Sequence, residues 1–385
     1  MYDIVKLRRE EFPLSADLIY FNHAAISPLP QRSMRRMIEV AEQLARNPSV
    51  FFPERFDQMK QALGAGARML FGARRDDEMV PITSTSSGIN ALAQAIPWRA
   101  GDNVVYCDHE FPSNVFPWRW VGQDRGVEVR EVPAIDGGLT IENLAPAVDE
   151  HTRVVAVSAI QFFTGHRTDL TAIGAFCHER GILLAVDAIQ AVGHVPIDVG
   201  AMHIDMLVTG GQKSVLAVPG IGFLYVRNPL CAQLEPRHVG ANSVRDYAHW
   251  LDYDMRPLPG APRFSMGSPN LPGLAALLGS LDLLCELGVA NIDKHTSALA
   301  EYAAGRLSEL GYRVIMPADA HANIVTFATG RSLEATEAMV ASLRANQVVI
   351  GRHLDRPGNH FIRLSFHCYN TEAEVDRFMA LLADL

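Results

Sequence analysis

The chain has 385 residues and a formal net charge of −9, with 48% hydrophobic and 20% charged residues. This composition is typical of a globular protein, and the length predicts two domains rather than one core. The acidic balance argues against a nucleic-acid partner, because there is no basic surplus to neutralise phosphates.

Cysteine usage and apolar segments bear on the location of the protein. The five cysteines are widely spaced and odd in number, so they indicate neither a disulfide framework nor a metal site. The first residues, MYDIVKLRREEF, are charged and lack the apolar core of a signal peptide. Residues 273–289 are the most hydrophobic helical segment, but Asp282 and Glu286 favour a buried helix over a membrane span. We therefore expect a cytoplasmic protein with no membrane partner.

In chain order, the pattern predicts a helix and turn over residues 1–19, an extended loop over 20–30 and amphipathic helices over 32–47 and 56–71. From residue 78 to 226, short apolar runs alternate with helical segments, which predicts an α/β fold with a mainly parallel sheet. An irregular connection follows residue 236, and then helices and short strands typical of an α+β unit. We predict a large domain over residues 20–260 and a smaller one over 261–385 together with 1–19.

Two polar groups end neighbouring strands in the segment 181–226. The run ILLAV ends on Asp187, and the run DMLVT leads through two glycines and Gln212 to Lys213. Ligands bind beyond the carboxyl ends of such strands. A partly desolvated lysine has a lowered pKa and performs carbonyl chemistry, while a carboxylate suits a protonated pyridine nitrogen. The two residues together indicate a pyridoxal-phosphate site. Either residue alone would be explained more simply, Lys213 as a surface loop lysine and Asp187 as a solvated residue at a strand end.

The sequence VDAIQAVGHVPIDV, the glycine turn before Lys213 and the sequence GIGFLYV resemble the class V aminotransferases of the type I pyridoxal-phosphate fold. This group contains cysteine desulfurases, selenocysteine lyases, isopenicillin N epimerase-like proteins and kynureninases, and the resemblance extends from about residue 20 to the C-terminus. It implies a seven-stranded sheet in the large domain. It also implies that Lys213 forms the Schiff base and acts as general base, that Asp187 holds the ring nitrogen, and that Gln190 contacts the ring oxygen.

The phosphate site is expected at the segment TSTSSG, a polar turn between a strand and a helix. A helix N-terminus binds anions, although the same pattern also suits an ordinary helix cap. The segment is similar to the family's phosphate loop, which places Thr85, Ser86 and Ser87 on the phosphate. In the same resemblance, the side chain of Gln212, just before Lys213, offers one more hydrogen-bond donor to the phosphate. Ser268, in MGSPN, resembles a segment that reaches the phosphate from the partner subunit, which implies a homodimer with shared active sites.

Two more residues match family positions around the cofactor ring. Phe111, in DHEFPSN, takes the place of the histidine that stacks on the ring in desulfurases; core packing is its plainer explanation. Gln161 follows the strand VVAVSAI, near a family residue that contacts the ring hydroxyl.

The motif RLSFHCYNT matches the family's carboxylate-binding motif. The resemblance implies that Arg363 clamps the substrate α-carboxylate, for which a guanidinium fork is suited. Asn22 and His23 resemble residues that line the substrate side, where His23 would be a base or a polar wall.

The reaction is predicted from a missing group. A desulfurase needs a cysteine shortly before the arginine motif, and residues 348–361 contain none. We therefore expect β-elimination from a cysteine-like or other β-substituted amino acid, and a cysteine desulfurase is less favoured. Transamination is the alternative; epimerisation needs a second base, for which His23 is the candidate, and a non-catalytic binding protein would need no carboxylate clamp.

In the same loop, the sequence leaves open whether three residues contact a substrate side chain or are solvated. They are Arg352, His353 and Arg356.

Overall fold

The structure is a computed structural model that describes residues 2–245 and 249–385. The helices are α1 Ile4–Glu11, α2 Gln31–Arg46, α3 Pro48–Phe71, α4 Thr85–Ala95, α5 Phe116–Arg125, α6 Ile141–Leu144, α7 Leu170–Glu179, α8 Asn228–Cys231, α9 Leu271–Leu287, α10 Val289–Glu309, α11 Leu333–Ala345 and α12 Glu372–Ala383. The strands are β1 Ile19–Tyr20, β2 Met79–Ile82, β3 Asn103–Cys107, β4 Glu128–Val132, β5 Thr152–Ser158, β6 Leu183–Asp187, β7 Met206–Gly210, β8 Gly222–Val226, β9 Arg313–Val314, β10 Ile324–Ala328, β11 Val348–Val349, β12 Gly351–Leu354 and β13 His360–Ser365.

A seven-stranded sheet organises the first two thirds of the chain, in the order β2-β8-β7-β6-β5-β3-β4. The pairs from β7 to β4 are parallel, whereas β8 is antiparallel to both of its neighbours. Every residue of β6, β7 and β8 is buried, which explains their continuous apolar sequences. The predicted α/β fold with a mainly parallel sheet is confirmed.

Two helices are not fully evident from the sequence. Helix α3 begins at Pro48 rather than at residue 56, and α5 forms the connection between β3 and β4. Both carry a proline in the first turn, where the missing N–H is not needed by the helix. Phe116 and Trp120 on α5 are exposed, so this helix has no clear apolar stripe for the sequence to reveal.

A four-stranded antiparallel sheet, in the order β12-β13-β10-β9, forms the second sheet. Its core is continuous with Phe21 and with residues of α10, α11 and α12. Strand β1 pairs in parallel with β11, and the backbone of Ser365 donates a hydrogen bond to the Phe21 carbonyl. These contacts place the segment that follows β1 next to Ser365, the last residue of β13.

Helix α9 packs against α2 and α3, and most of its side chains are buried in the core that also covers the large sheet. The domain boundary near residue 260 stays a prediction. Within the described ranges, no single helix is long and apolar enough to cross a membrane; α9 and α10 together pass that test by length and composition, with a bend of 81° between them.

Candidate active site

Lys213 and Asp187 lie close together beyond the carboxyl ends of β7 and β6. Their exposed fractions are only 8% and 4%. Burial lowers the pKa of Lys213 to about 8; the charge of Asp187 opposes this shift and that of Arg363 adds to it. Burial also raises the pKa of Asp187 to about 6. Two interactions oppose this rise: the backbone N–H of Ile189 donates a hydrogen bond to the carboxylate at 3.0 Å, and Lys213 carries a positive charge. The site therefore holds an amine that is easily deprotonated beside a buried carboxyl group.

The turn that carries Lys213 is fixed from both sides. The Ser214 hydroxyl donates to the Ile189 carbonyl at 2.9 Å, next to the end of β6. The carbonyl of Ser214 lies 3.0 Å from His367 Nε2. Leu216 completes the turn with a φ of 60°, a strained conformation for a residue other than glycine. These contacts hold the lysine in one place before any ligand binds.

Phe111 presents its ring to the lysine. Lys213 Nζ lies 5.0 Å from the ring centroid, and the edge of Phe162 lies against the same ring, with 5.1 Å between centroids. Phe111 is 39% exposed, although it is a large apolar residue. Core packing therefore does not explain its position.

Glu110 is a buried acid that the sequence analysis did not single out. It accepts hydrogen bonds from the backbone N–H of Ser158 at 2.8 Å, from the Ser158 hydroxyl at 2.5 Å and from the Asn114 amide at 3.1 Å. Burial raises the pKa of Glu110 to about 7 despite these bonds, and the nearby charge of Asp187 adds to the rise. Ser158 pairs with Asp187 in the sheet, so its bonds to Glu110 hold that carboxyl group near Asp187 at the end of β6.

The first turn of α4 offers an incomplete polar cradle. The Thr85 hydroxyl is buried and has no hydrogen-bond partner among the described residues. A Cβ on Gly210 would lie 3.1 Å from this oxygen and 2.7 Å from Gln212 Oε1, so the bare glycine lets both polar groups approach. By contrast, the Ser87 hydroxyl bonds to Ser84 in a capping box. An unsatisfied hydroxyl at a helix N-terminus suits an anion.

The two other serines with predicted phosphate contacts differ from Thr85 in their surroundings. The Ser86 hydroxyl is hydrogen-bonded to Ser113 at 2.8 Å. Ser268 is exposed and lines a cavity of about 710 Å³ together with Thr83 and Ser87. Their predicted roles stay predictions.

Gln161 and Gln190, which are predicted to contact the cofactor ring, are hydrogen-bonded to backbone groups. Gln161 donates to the His109 carbonyl and accepts from the N–H groups of Phe163 and Thr164, so its amide stabilises its own loop. Gln190 donates to the Ala24 carbonyl at 2.9 Å. Both lie near Asp187 in the fold, but a contact with a cofactor ring would compete with these bonds.

Arg363 and Asn22 form a second pair of incompletely bonded groups. Arg363 is 2% exposed and donates to the Phe162 carbonyl at 2.8 Å. Its Nε and the Asn22 Oδ1 both lack hydrogen-bond partners within the described part of the chain. Burial lowers the pKa of Arg363 to about 10, so the guanidinium is still charged at neutral pH. A buried cation with a free N–H is suited to a carboxylate ligand.

His23 belongs to a buried histidine cluster. Its Nδ1 is hydrogen-bonded to the Ser27 hydroxyl at 2.9 Å, and its ring centroid lies 5.3 Å from those of His367 and Tyr369. His194 packs on the other side of His367, with 4.5 Å between centroids. Burial lowers the pKa of His23 well below its usual range. The lowered pKa favours a neutral imidazole, and His23 Nε2 has no hydrogen-bond partner among the described residues. The role of His23 on the substrate side stays a prediction.

The structure distinguishes the three hairpin residues whose environment the sequence leaves undecided. Arg352 is exposed and pairs with Glu337 at 3.0 Å, and Arg356 pairs with Glu131 at 2.5 Å. His353 is half-buried and lies near the charges of the central site. The two arginines are therefore ion-paired on the surface, and only the histidine faces inward.

This set of groups fits one kind of cofactor. An amine with a lowered pKa reacts with an aldehyde, a buried carboxyl group suits a ring nitrogen, an exposed aromatic face suits a flat ring, and an unsatisfied helix N-terminus suits a phosphate. Together, on a seven-stranded α/β sheet, they define a pyridoxal-phosphate enzyme.

Comparisons with known proteins agree with this class. The family described as aminotransferase class-V matches residues 19–378. A probable cysteine desulfurase of Methanothermobacter thermautotrophicus is 32% identical over 309 residues, covering 78% of this chain and 75% of that protein. A cysteine desulfurase of Yersinia pestis is 27% identical over 392 residues, covering 97% and 96%. The chain belongs to the class-V aminotransferase family and is a pyridoxal-phosphate-dependent enzyme.

Solved structures confirm the type I fold. An apo cysteine desulfurase from Thermococcus onnurineus superposes with a TM-score of 0.89 at 23% identity, over 100% of this chain and 98% of that one. A cystine C-S lyase in complex with its product, cysteine persulfide, gives a TM-score of 0.89 at 22% identity, over 97% and 100%.

Proposed function

We propose that this enzyme catalyses β-elimination from a free α-amino acid with a cysteine-like or other β-substituent. One observation carries the proposal: the described segment that precedes Arg363, from residue 348 to residue 361, contains no cysteine. The β12–β13 hairpin contains no cysteine, and Cys368, three residues after Ser365, is fully buried. Burial raises the pKa of Cys368 far above its usual range. A buried neutral thiol is a poor nucleophile, and this argues against persulfide transfer.

The remaining residues suit proton removal at the substrate Cα. Bound pyridoxal phosphate supplies an electron sink for that carbon. Arg363 holds the α-carboxylate and thereby orients Cα. Lys213, with its lowered pKa, takes the proton, and Asp187 holds the ring nitrogen. Thr85 and Gln212 bind the phosphate, and Phe111 covers the ring face.

The other four cysteines are also poorly suited to persulfide transfer. Cys107, Cys177 and Cys231 are buried, and Cys285 lies half-buried on α9. Burial raises the pKa of Cys177 and of Cys231 to about 12. The relatives named as cysteine desulfurases support the fold and the cofactor of this chain, whereas its own thiols are poorly suited to their reaction.

Transamination is the second candidate, because Lys213 could return the proton to the cofactor instead of releasing a β-substituent. The family match supports it as well as it supports elimination. Epimerisation needs a second base on the opposite face of Cα. Burial lowers the pKa of His23 well below its usual range, which makes its imidazole a weak base.

The test is to mix the holoenzyme with a panel of amino acids without any keto-acid acceptor. Elimination predicts that keto acid and ammonia accumulate over many turnovers while the absorption of the lysine-bound cofactor persists. Conversion of the cofactor once to its amine form, followed by arrest, would establish transamination instead. Sulfide release from cysteine in a variant with all five cysteines replaced would separate elimination from desulfuration.

We also propose a homodimer in which Ser268 reaches the partner's phosphate site. Its exposure beside an open cavity supports this role. Inactive Lys213→Ala and Ser268→Asp chains, unfolded and refolded together, should regain about a quarter of wild-type activity, because half of the dimers then contain one intact site. If Ser268 acts within its own chain, no activity returns.

A cytoplasmic location is the final part of the proposal. All five cysteines are free, as expected for a protein kept in a reducing compartment.

A further inference from the structure

The pairing of β12 with β13 decides which hairpin residues face the active site. Gly351 lies opposite Arg363, and His353 lies opposite Phe361. Residues that are paired across an antiparallel ladder, and every second residue along a strand, point to the same face. His353 therefore shares a face with Arg363, whereas Arg352 between them points to the other face, where it pairs with Glu337.

A row of rings connects His353 to the reactive lysine. The His353 centroid lies 5.8 Å from that of Phe162, and Phe162 lies 5.1 Å from Phe111. Phe111 in turn lies 5.0 Å from Lys213 Nζ. Phe163 closes the far side of His353 at 6.1 Å. The row runs from the amine that would meet the substrate to the hairpin.

The end of this row carries no charge of its own. His353 has no hydrogen bond or ion pair with any described side chain, and burial and the charges of Arg363 and Lys213 lower the pKa of His353 to about 3. Of the two hairpin arginines, Arg356 is directed to Glu131. A charged side chain packed against these rings would lose its hydration, and neither Phe162 nor His353 offers it an ion pair.

We infer that Phe162 and His353 form the pocket for the substrate's side chain, and that it selects an uncharged flat or apolar group such as that of an S-alkyl or S-aryl cysteine. This inference rests on the proposed function, because it places the α-carboxylate on Arg363 and Cα at Lys213. From that anchor, Phe162 and His353 extend beyond Phe111, which covers the cofactor ring, and offer an uncharged surface to the β-substituent.

Binding to the holoenzyme tests the inference without relying on elimination. Methionine, phenylalanine, lysine and glutamate have no leaving group at Cβ, and the first, third and fourth have side chains of similar length. Their Kd values can be measured from the absorbance change within milliseconds of mixing. We expect methionine and phenylalanine to bind at least about tenfold more tightly than lysine and glutamate, a difference of about 1.4 kcal/mol. Equal affinities for all four would overturn the inference and would leave the proposed reaction untouched.

Substitution of His353 identifies the residue responsible. His353→Asp places a carboxylate at the end of the row, so the ratio of the lysine Kd to the methionine Kd should fall by about tenfold or more. His353→Phe should keep the wild-type order. The ratio cancels any general loss of binding at Arg363.

Arg352→Asp is the matched control, because it adds the same carboxylate one residue away on the opposite face of β12. It should leave the ratio within about twofold of the wild type. A ratio that is unchanged in His353→Asp, or changed equally in Arg352→Asp, would show that His353 does not contact the substrate side chain.

Discussion

Gly351 lies directly opposite Arg363, and a Cβ on Gly351 would stand 3.5 Å from Arg363 Nε and 3.0 Å from Asn22 Oδ1. Both of these polar atoms are buried and lack hydrogen-bond partners among the described residues. The backbone of Gly351 is an ordinary strand, so a side chain is excluded here by space rather than by conformation. The glycine keeps a gap open where a carboxylate could bind.

Gly351→Ala should therefore weaken substrate binding. A contact of 3.0 Å forces Asn22 to move by a few tenths of an ångström, and the methyl group narrows the access to Arg363. We expect KM for amino acids to rise by about tenfold with a small change in kcat, as for loss of uniform binding. Steady-state kinetics will measure this. An unchanged KM would mean that the gap is not part of the substrate site.

Gly305→Ala is the control for Gly351→Ala. Gly305 is exposed on α10, and a Cβ there would meet nothing within 4 Å. The same substitution should leave KM unchanged and raise the free energy of unfolding by about 0.5 to 1 kcal/mol, because alanine favours a helix.

Arg363→Lys should reduce affinity for the α-carboxylate. Lysine keeps the charge but loses the planar fork that makes two parallel hydrogen bonds. We expect Kd for an amino acid to rise by about 10- to 100-fold, and Kd for the corresponding amine without a carboxylate to stay the same. Arg352→Lys, on the other face of the sheet, is the control and should change neither. A similar loss for the amine would show that Arg363 is structural.

Glu110→Gln should change the stability of the apoprotein in a pH-dependent way. Burial raises the pKa of Glu110 from 4.5 to about 7 in the folded chain, so the folded state holds the proton more tightly than the unfolded state. Stability from this group is present below pH 4.5 and is lost as the pH rises through 7. Glutamine carries no such charge, so between pH 4.5 and pH 8 the free energy of unfolding should fall by about 1 to 3 kcal/mol more in the wild type than in the variant.

Urea unfolding of the apoprotein at both pH values measures the effect of Glu110→Gln. The exposed Glu150→Gln variant is the control and should show no comparable difference between them. If Glu110→Gln and the wild type differ by the same amount at both pH values, the carboxyl group is not destabilised by its burial.

The sequence predicts the sheet well because its strands are buried on both faces. Strands such as β6 and β7 are continuous apolar runs, and each ends abruptly at a polar group. Lys213 and Asp187 stand out for that reason. The apolar runs and the polar residues that end them are local features of the sequence. They can therefore be recognised without knowledge of any contact with a distant element.

Other residues could not be placed from the sequence, because distant partners decide their positions. Glu110 follows two polar residues and looks like a solvated loop residue, but it is buried and bonded to Ser158, which lies 48 residues later. His353 and Arg352 look equivalent until the register of β12 against β13 assigns them to opposite faces. Gln161 looks free to reach a ligand, but the backbone N–H groups of its own turn take its carbonyl oxygen.

The rate at which the apoenzyme captures pyridoxal phosphate should report the pKa of Lys213. Only the free amine reacts with the aldehyde, and burial lowers this pKa from 10.5 to about 8. The second-order rate constant should therefore rise with pH up to about 8 and then level off. Asp187 favours the charged ammonium, so Asp187→Asn should move the midpoint to lower pH. Stopped-flow absorbance measures both profiles, and ionisation of free pyridoxal phosphate cancels in the comparison. A midpoint near 10.5, or one that moves upward in Asp187→Asn, would contradict a buried amine held next to a carboxylate.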